Sequence, residues 1–486
     1  MKIIVCFKVL PEPDRVLQED WEKFTPDRDL GYAGLDFSCF DGPALELGLR
    51  LKQQMHEQGI SVSCSALTLG KTLPEGFSQR LYSVGYDLVQ LIPVEDPEFC
   101  PEQAAEALSE AVAAGDVILT GREAGMGETG MVPYLMAEKL HRPLHADVEN
   151  ISFQKDMLIL QCRKPEGLFE RKADVPCLLT VGNTPAVLRT ATLRQQLKFQ
   201  GKKAEILKNN WTEFSKERLH FYAPDTGRKC RMLDPHRNDT RELLRKLIRE
   251  AEVSGKQICN EKESMDAQML SLAAERENLF LFPDTEGGRT LAIKKAAERN
   301  IPCFFGGEIL ELTEASVRLQ KGAYGSNLLW RKEFSLPAVL TGNYPGMEEK
   351  REESLLIPAD DSGLQSAGLV MICGNGMGSR ENCMEVRALS AKLHGAVGFT
   401  RPAVMNAWGN TEEMVGQSGK TISPGLCLTL GVGGSGAFVT GIRKSKTIVA
   451  VNRDPNALIF KCADYGILMD AMEFLGVLKE EAEYGN

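Results

Sequence analysis

The strongest constraint on the fold of this chain is a rhythm in which short apolar runs alternate with longer amphipathic stretches. Ile3 to Val9, Val62 to Leu69, Leu88 to Ile92 and Asp116 to Thr120 read as strands. Between them Pro43 to Gln54, Pro74 to Tyr82 and Glu102 to Ala113 read as helices, and Thr129 to Leu140 follows as another. Strands separated by single helices predict right-handed βαβ crossovers and a mostly parallel sheet, so the fold class is α/β. The rhythm then breaks. Ile151 to Leu160 and Val175 to Val181 look like strands with no full helix between them. Residues 186–260 are mostly polar, with one clear helix, Thr240 to Glu252, carrying charges at i, i+4 spacing. This stretch reads as a linker and the edge of a second domain. Asn278 to Pro283 is a short strand, Gly288 to Asn300 a helix, and Pro302 to Phe305 begins another strand. Residues 346–366 are charged and polar, as a second linker would be, and from Gly368 the α/β pattern returns.

Arg163 to Asn183 resembles Gln320 to Asn343. Each reads as a strand, a small-residue turn, a basic step, then Leu/Val-Pro and a strand ending in Gly-Asn or Thr-Gly-Asn. Either two β segments coincide by chance, or two similar α/β domains stand in tandem. The 486 residues suggest about three domains at roughly 150 residues each. The net charge of −10 argues against nucleic acid as the main partner. No apolar run reaches the ~18 residues a membrane span needs, and the opening MKIIVCFKVLPEP reads as a strand ended by prolines rather than a signal peptide. The 13 cysteines are scattered without a CxxC pair. That pattern suggests reduced thiols in a cytoplasmic protein and no metal site.

The chemistry concentrates near the C-terminus. GLVMICGNGMGSRENCMEVRALSAKLHGA is a buried strand, a glycine-rich turn and a helix. Glycines 374, 376 and 378 let the backbone approach a bound group, and a following helix N-terminus favours an anion. A tight structural turn explains this motif alone about as well. Further segments add to it. Val415-Gly416-Gln417-Ser418-Gly419-Lys420 sets amide, hydroxyl and bare backbone donors in one loop. Leu426 to Val432 is a strand followed by Gly433-Gly434-Ser435-Gly436-Ala437, and Lys446 to Val451 is a strand followed by Asn452-Arg453-Asp454-Pro455. Ligands of open parallel sheets lie outside the carboxyl ends of strands. Several strands here end in small or polar residues, as one extended ligand requires.

VGQSGKTISPGLCLTLGV, SKTIVAVNRDPNALIFKCADYGILMD and LHGAVGFTRP resemble the FAD domain of the electron-transfer flavoprotein alpha subunit, over most of residues 367–480. The resemblance implies that Thr400 and Arg401 face the flavin or its phosphates, and that Val415, Gly416, Gln417, Ser418 and Gly419 form the loop beside it. The Ser418 hydroxyl would lie near flavin N5. Ser435, Gly436 and Ala437 would line the second turn, and Asn452 and Asp470 would hold the adenosine end. A cation such as Arg401 beside the flavin stabilises its reduced forms. Two positions depart from the family pattern. Asn375 stands where the family has Arg, and the turn that usually supplies a His offers Thr440 at best. Both changes predict a lower flavin potential.

MKIIVCFKVLPEPDRV, SCFDGPALELGLRLKQ and VSCSALTLGKTLPEGFSQRLYSVGYD resemble the beta subunit of the same family. So do residues 116–148, which in the family bind AMP, or a second FAD in electron-bifurcating members. The loop at 125–128 is short, and Glu128 stands where Gln is usual, which argues against both ligands. DVPCLLTVGNTPAVLRTATLRQQLKFQGKKAE is similar to the family's recognition loop, and places Leu193 where a leucine docks on a partner dehydrogenase. The alternative is a core contact of an amphipathic helix. NLFLFPDTEGGRTLAIKKAAERNIPCF and VRLQKGAYGSNLLWRKEFSLPAVLTGN resemble the alpha subunit's first domain.

The expected organisation is therefore a fusion of beta and alpha subunits. Residues 1–206 would be a beta-like domain with the docking loop, 207–350 an alpha-type scaffold, and 367–486 a parallel-sheet FAD-binding domain. The expected function is an electron carrier rather than a substrate-converting enzyme. It would shuttle electrons on FAD from a flavoprotein dehydrogenase, of acyl-CoA type, to a downstream redox protein. The alternatives are a bifurcating flavoprotein that oxidises NADH with a second FAD, and a redox-inactive nucleotide-binding scaffold.

Overall fold

The computed structural model describes residues 1–16, 20–21, 24, 30–94, 99–124, 127, 129–164, 167–208, 220–222, 227–254, 278–342, 353–358 and 363–483. The chain forms two compact units. One holds Met1–Tyr222, Leu272–Tyr324 and Leu328–Pro358; the other holds Ala223–Ser271, Gly325–Asn327 and Ala359–Asn486. The architecture is α/β with several sheets.

The first unit is built on a 10-stranded sheet. Its order is Glu205–Ile206, Leu88–Pro93, Ser63–Gly70, Lys2–Phe7, Val117–Gly121, Cys177–Val181, Leu144–Gln154, Met157–Lys164, Gly167–Ala173 and Ser354–Pro358. The strands up to Leu144–Gln154 pair in parallel, and the rest are antiparallel. Side chains alternate across each strand. Ile3 and Val5 join Leu119 on the face covered by helix Asp41–Glu57, while Ile4 and Cys6 join Ile118 on the other. Helices Pro101–Val112, Val132–Leu140 and Glu286–Arg299 supply residues to that second core. Each fully buried Val, Leu or Ile contributes about 1.5–3 kcal/mol, so these two faces hold the unit together.

The remaining strands of this unit form smaller sheets. Leu279–Pro283, Ala338–Gly342 and Cys303–Phe305 are parallel. His220–Tyr222, Leu328–Ser335, Ser316–Ala323 and Glu308–Leu312 are antiparallel. The repeat noted in the sequence has a common shape. The hairpin Met157–Lys164 to Gly167–Ala173 leads through cis Val175-Pro176 into Cys177–Val181, and the hairpin Ser316–Ala323 to Leu328–Ser335 leads through cis Leu336-Pro337 into Ala338–Gly342.

Two expectations need correction. Ile151 to Leu160 is not one strand, because the chain reverses at Lys155 and Asp156. Both residues sit at positive φ, 48° and 65°, in a left-handed turn that Asp tolerates better than most residues. Within the stretch 346–366 read as a linker, Ser354–Pro358 is an edge strand paired with Gly167–Ala173; residues 346–352 and 359–362 lie outside the described residues.

The second unit has a 6-stranded sheet in the order Arg231–Leu233, Tyr465–Leu468, Thr447–Asn452, Leu426–Leu430, Leu369–Cys373, Ala396–Phe399. Every pairing is parallel. Central strands buried on both faces read as continuous apolar runs, and LVMIC is one. Leu369 and Met371 face a core with Leu244, Val386, Phe474 and Leu475 from helices Asn238–Ser254, Arg380–Lys392 and Ala471–Glu483. Val370 and Ile372 face the other core with Phe438 and Ile442 from helix Gly436–Ile442. From Leu369–Cys373 the chain passes first to the neighbour Ala396–Phe399 on one side, then to Leu426–Leu430 on the other. That reversal opens a crevice at the carboxyl ends of these strands.

Candidate functional site

The crevice is framed by glycines. The turn after Leu369–Cys373 and the turn after Leu426–Leu430 touch backbone to backbone. Gly374 N–H donates to Leu430 O at 2.9 Å, and Gly376 N–H donates to Gly431 O at 2.9 Å. A Cβ on Gly374 would lie 2.3 Å from the Gly431 carbonyl oxygen. Gly434, at φ +90°, would bring a Cβ within 2.2 Å of Ile459 N. Gly378 and Gly433 differ: an added Cβ would meet no atom within 4 Å. The turns are thus packed against framework at some glycines and bare at others.

Thr400 follows strand Ala396–Phe399 and is buried, with its amide donating to Cys373 O at 3.1 Å. Among the described residues its Oγ1 has no hydrogen-bond partner. A buried hydroxyl left unpaired costs about 1–3 kcal/mol. Arg401 begins the short helix Arg401–Met405 directly after it. The loop from Val415 to Gly419 is tied to the same edge. Val415 N–H donates to Phe399 O at 2.9 Å, and Gln417 N–H donates to Ala437 O at 2.7 Å. Gly416 has φ +137°, which favours glycine, and packs against Ala437 and Phe438. Ser418 is half-buried and lies within 4.0 Å of the Met414 sulfur. Thr400, Arg401, Val415, Gly416, Gln417, Ser418, Gly419 and Ala437 therefore stand on one connected stretch of the edge.

Other expected site residues also stand at strand ends, where the side chains of Asn375, Thr440, Asn452 and Asp470 and the backbone of Ser435 bond to the framework. Asn375 Oδ1 accepts from Asn406 Nδ2 at 2.9 Å. Thr440 Oγ1 donates to the Gly436 carbonyl one turn back, at 3.0 Å, the usual bond of a helical threonine. Asn452 donates to Val432 O at 2.7 Å and accepts from Asp454 N at 2.9 Å. Asp470 caps helix Ala471–Glu483 by accepting from Met472 N at 2.9 Å. The Ser435 carbonyl accepts from Phe438 and Val439, which starts helix Gly436–Ile442.

Arg387 and Glu413 were not anticipated. Arg387 Nη1 and Nη2 each meet a Glu413 carboxylate oxygen at 2.6 Å, and the guanidinium lies 4.9 Å over the Phe399 ring. Glu413 also accepts from Asn410 N at 2.9 Å. The pair anchors the segment that enters Val415–Gly419. The Asn410-x-x-Glu413 spacing, a capping box, is the signal that could have found it.

In the first unit, a second crevice lies at the carboxyl ends of Lys2–Phe7, Ser63–Gly70 and Val117–Gly121. It holds a cavity of about 130 Å³ lined by Phe7, Leu69, Phe99, Leu108 and Thr120 among others. Asp41 lines it too, accepting from Lys8 N at 2.8 Å and Gly121 N at 3.0 Å. Burial pushes the Asp41 carboxyl up to about 7, although those two amides and the Lys8 charge pull it down. Gly125, Met126 and Glu128 of the expected nucleotide loop lie outside the described residues. Leu193, the expected docking residue, opens helix Leu193–Lys198 and is 70% exposed; Val187 and Leu197 are also exposed. The loop before it is fixed by Arg189, whose Nε and Nη2 grip Glu46 at 3.0 and 2.9 Å. Among the described residues no helix is long and apolar enough to cross a membrane, and no group of three or more His, Cys, Asp or Glu could hold a metal.

Five strand ends of the second unit, from Tyr465–Leu468 to Ala396–Phe399, line an edge of roughly 19 Å at 4.7–4.9 Å per strand. Comparison with known proteins finds two matching domains. Residues 363–443 match the family model "Electron transfer flavoprotein FAD-binding domain", and residues 34–206 match "Electron transfer flavoprotein domain". The chain is similar to the mitochondrial electron transfer flavoprotein subunit alpha of Oryza sativa subsp. indica, at 44% identity over 115 residues, which is 24% of this chain and 32% of that protein. It is similar to the subunit alpha of Mycobacterium tuberculosis at 44% over 112 residues, 23% of this chain and 35% of that protein. It is also similar to the subunit alpha of Thermoanaerobacterium thermosaccharolyticum at 38% over 118 residues, 24% and 36%. The chain thus spans about a third of the length of these relatives.

Proposed function

We propose that this chain, which carries an electron transfer flavoprotein domain and an electron transfer flavoprotein FAD-binding domain, is an electron carrier with beta-type and alpha-type subunits in one polypeptide. It takes electrons from a flavoprotein dehydrogenase of acyl-CoA type and passes them to another redox protein. FAD, when bound, supplies the redox chemistry. The protein's part is to bind, orient and bias it. Bare turns at Gly378 and Gly433 admit the phosphates, and the Thr400 hydroxyl gives a buried hydrogen bond. Arg401 sets a cation at the same edge and favours the reduced cofactor. Ser418 offers a hydroxyl from the loop that Arg387 and Glu413 hold in place. Leu193, exposed on a pinned loop, is the anchor for the dehydrogenase, as a small apolar plug suits a transient contact.

The observation that carries this reading is the reversal point of the parallel sheet, where Thr400, Arg401 and the Val415–Gly419 loop meet at the strand ends. The test is stopped-flow mixing of the FAD-loaded protein with an acyl-CoA dehydrogenase and its substrate. Bleaching of the bound FAD, and its recovery with a second redox protein, is the expected result. Reduction by NADH with no response to the dehydrogenase would replace this reading with the bifurcating one.

A further inference from the structure

Leu193 keeps 70% of its surface in solvent, where an apolar side chain on a loose segment would gain by folding back onto the protein. The segment around it is held from two sides. On one side stands helix Asp41–Glu57. Its Glu46 is 4% exposed and takes four N–H donors. Arg189 gives three of them: its amide at 3.1 Å and its Nε at 3.0 Å to Oε2, and its Nη2 at 2.9 Å to Oε1. Arg50 Nε, one turn along the helix, gives the fourth at 2.9 Å to Oε1. An ionised carboxylate has about four acceptor sites, so Glu46 is fully engaged. Burial pushes its carboxyl up, but the bonds from Arg189 and Arg50 outweigh burial and hold the group below its ordinary range.

On the other side stands helix Phe77–Val84. Gln79 Nε2 donates to Gln196 O at 3.0 Å, and Ser78 Oγ donates to Lys202 O at 2.9 Å. The Tyr82 and Phe199 rings stack with centroids 6.0 Å apart. Between the two supports, Thr192 and Gln195 close a capping box at the start of helix Leu193–Lys198. Leu193 therefore stands on a backbone pinned on both flanks, by Arg189 before it and Gln196 after it.

We infer, on the docking role proposed above for Leu193, that Glu46 is a positioning residue for partner recognition: through Arg189 it fixes Leu193 in the docking geometry before the dehydrogenase arrives. Glu46 is too buried to meet the partner itself, so its effect passes through Leu193. A segment that is already ordered need not be ordered on binding, and the contact is tighter for it. Glutamine at position 46 keeps the shape, but it has one acceptor oxygen in place of two and brings an N–H2 against the guanidinium groups.

The test is steady-state reduction of the FAD-loaded full chain by an acyl-CoA dehydrogenase and its substrate, with the chain as the varied acceptor. Glu46→Gln should raise KM for the chain about tenfold and leave kcat and FAD content unchanged. Leu193→Ala should also raise KM. The double variant should match Leu193→Ala to within about twofold, because Glu46 acts through that side chain; a merely structural loss would add its whole effect. Arg189→Lys breaks the same clamp from its half-buried end and loses the forked geometry, so the comparison can be made with it where Glu46→Gln does not fold. A KM raised by Leu193→Ala but by neither clamp variant would overturn the inference and leave the docking role standing. So would a clamp variant that adds its full effect to Leu193→Ala. A KM that Leu193→Ala leaves unchanged would remove the docking role itself, and the role of Glu46 with it.

Discussion

The two units present parallel sheets whose carboxyl ends both open crevices, and the crevices have opposite characters. In the second unit the strand ends run into glycine turns, some packed backbone to backbone and some bare, with Thr400 and Arg401 alongside. In the first unit the crevice is walled by Phe7, Leu69, Phe99 and Leu108, and its nearby arginines are already matched to carboxylates. Topology sets where a ligand goes. The side chains of the loops set which ligand, and here glycine turns line one edge while aromatic and aliphatic side chains, with Lys8, Asp41 and Glu123, line the other.

The contrast can be broken most severely at a packed glycine. Gly434→Ala forces a Cβ to within 2.2 Å of Ile459 N, which should cost about 3 kcal/mol or more and empty the FAD site. Gly433→Ala faces open space and should leave stability within about 0.5 kcal/mol. Urea midpoints and the flavin absorbance of both variants check this. Equal behaviour would mean the turn is not packed as described.

Arg387→Ala leaves Glu413, which is 7% exposed, without its bidentate partner. Removing one member of a buried pair costs about 3–5 kcal/mol. Arg387 keeps 31% of its side chain exposed, so a loss nearer 2 kcal/mol is expected after solvent screening. FAD should also dissociate faster, since the Val415–Gly419 loop loses its anchor. Arg387→Lys should recover only part of either effect.

The first unit should show a pH signature of its own. Asp41 is raised to about 7 in the folded chain from 3.8, so folding favours its protonated form. Its stabilising contribution is full below about pH 4 and falls as pH rises toward 7, by at most about 1.4 kcal/mol per pH unit. Asp41→Asn should remove that slope from urea midpoints measured between pH 4 and 8. A slope unchanged by the substitution would place the titration elsewhere.

Smaller effects separate binding from docking. Thr400→Val should weaken FAD about fivefold through one lost hydrogen bond, with little change in stability, because the hydroxyl has no protein partner to lose. Leu193→Ala removes an exposed side chain. It should slow reduction by the dehydrogenase while leaving FAD content and stability within about 0.5 kcal/mol of the original.

Much of this was legible in the sequence because strands followed by small residues mark the ligand edge of a parallel sheet. Gly374 to Gly378, Thr400, Val415 to Gly419 and Gly433 to Ala437 all fall there. What the sequence hid was how side chains divide between ligand and framework. Thr440 bonds back into its own helix, and Asn452 and Asp470 hold turns and a helix start. A polar residue at a strand end looks the same whichever partner it takes. The hairpin inside 151–160 was missed because ISFQKDMLIL is apolar on both sides of a turn made only by Lys155 and Asp156. The Arg387–Glu413 pair was missed because its members are 26 residues apart and only the fold brings them together.

The most direct measurement is FAD titration of purified apoprotein, followed by visible absorbance and compared with Arg401→Ala and Gly434→Ala. The account predicts saturation at one FAD per chain, with weaker binding in the first variant and none in the second. Saturation at two, or one FAD bound equally well by all three proteins, would contradict it.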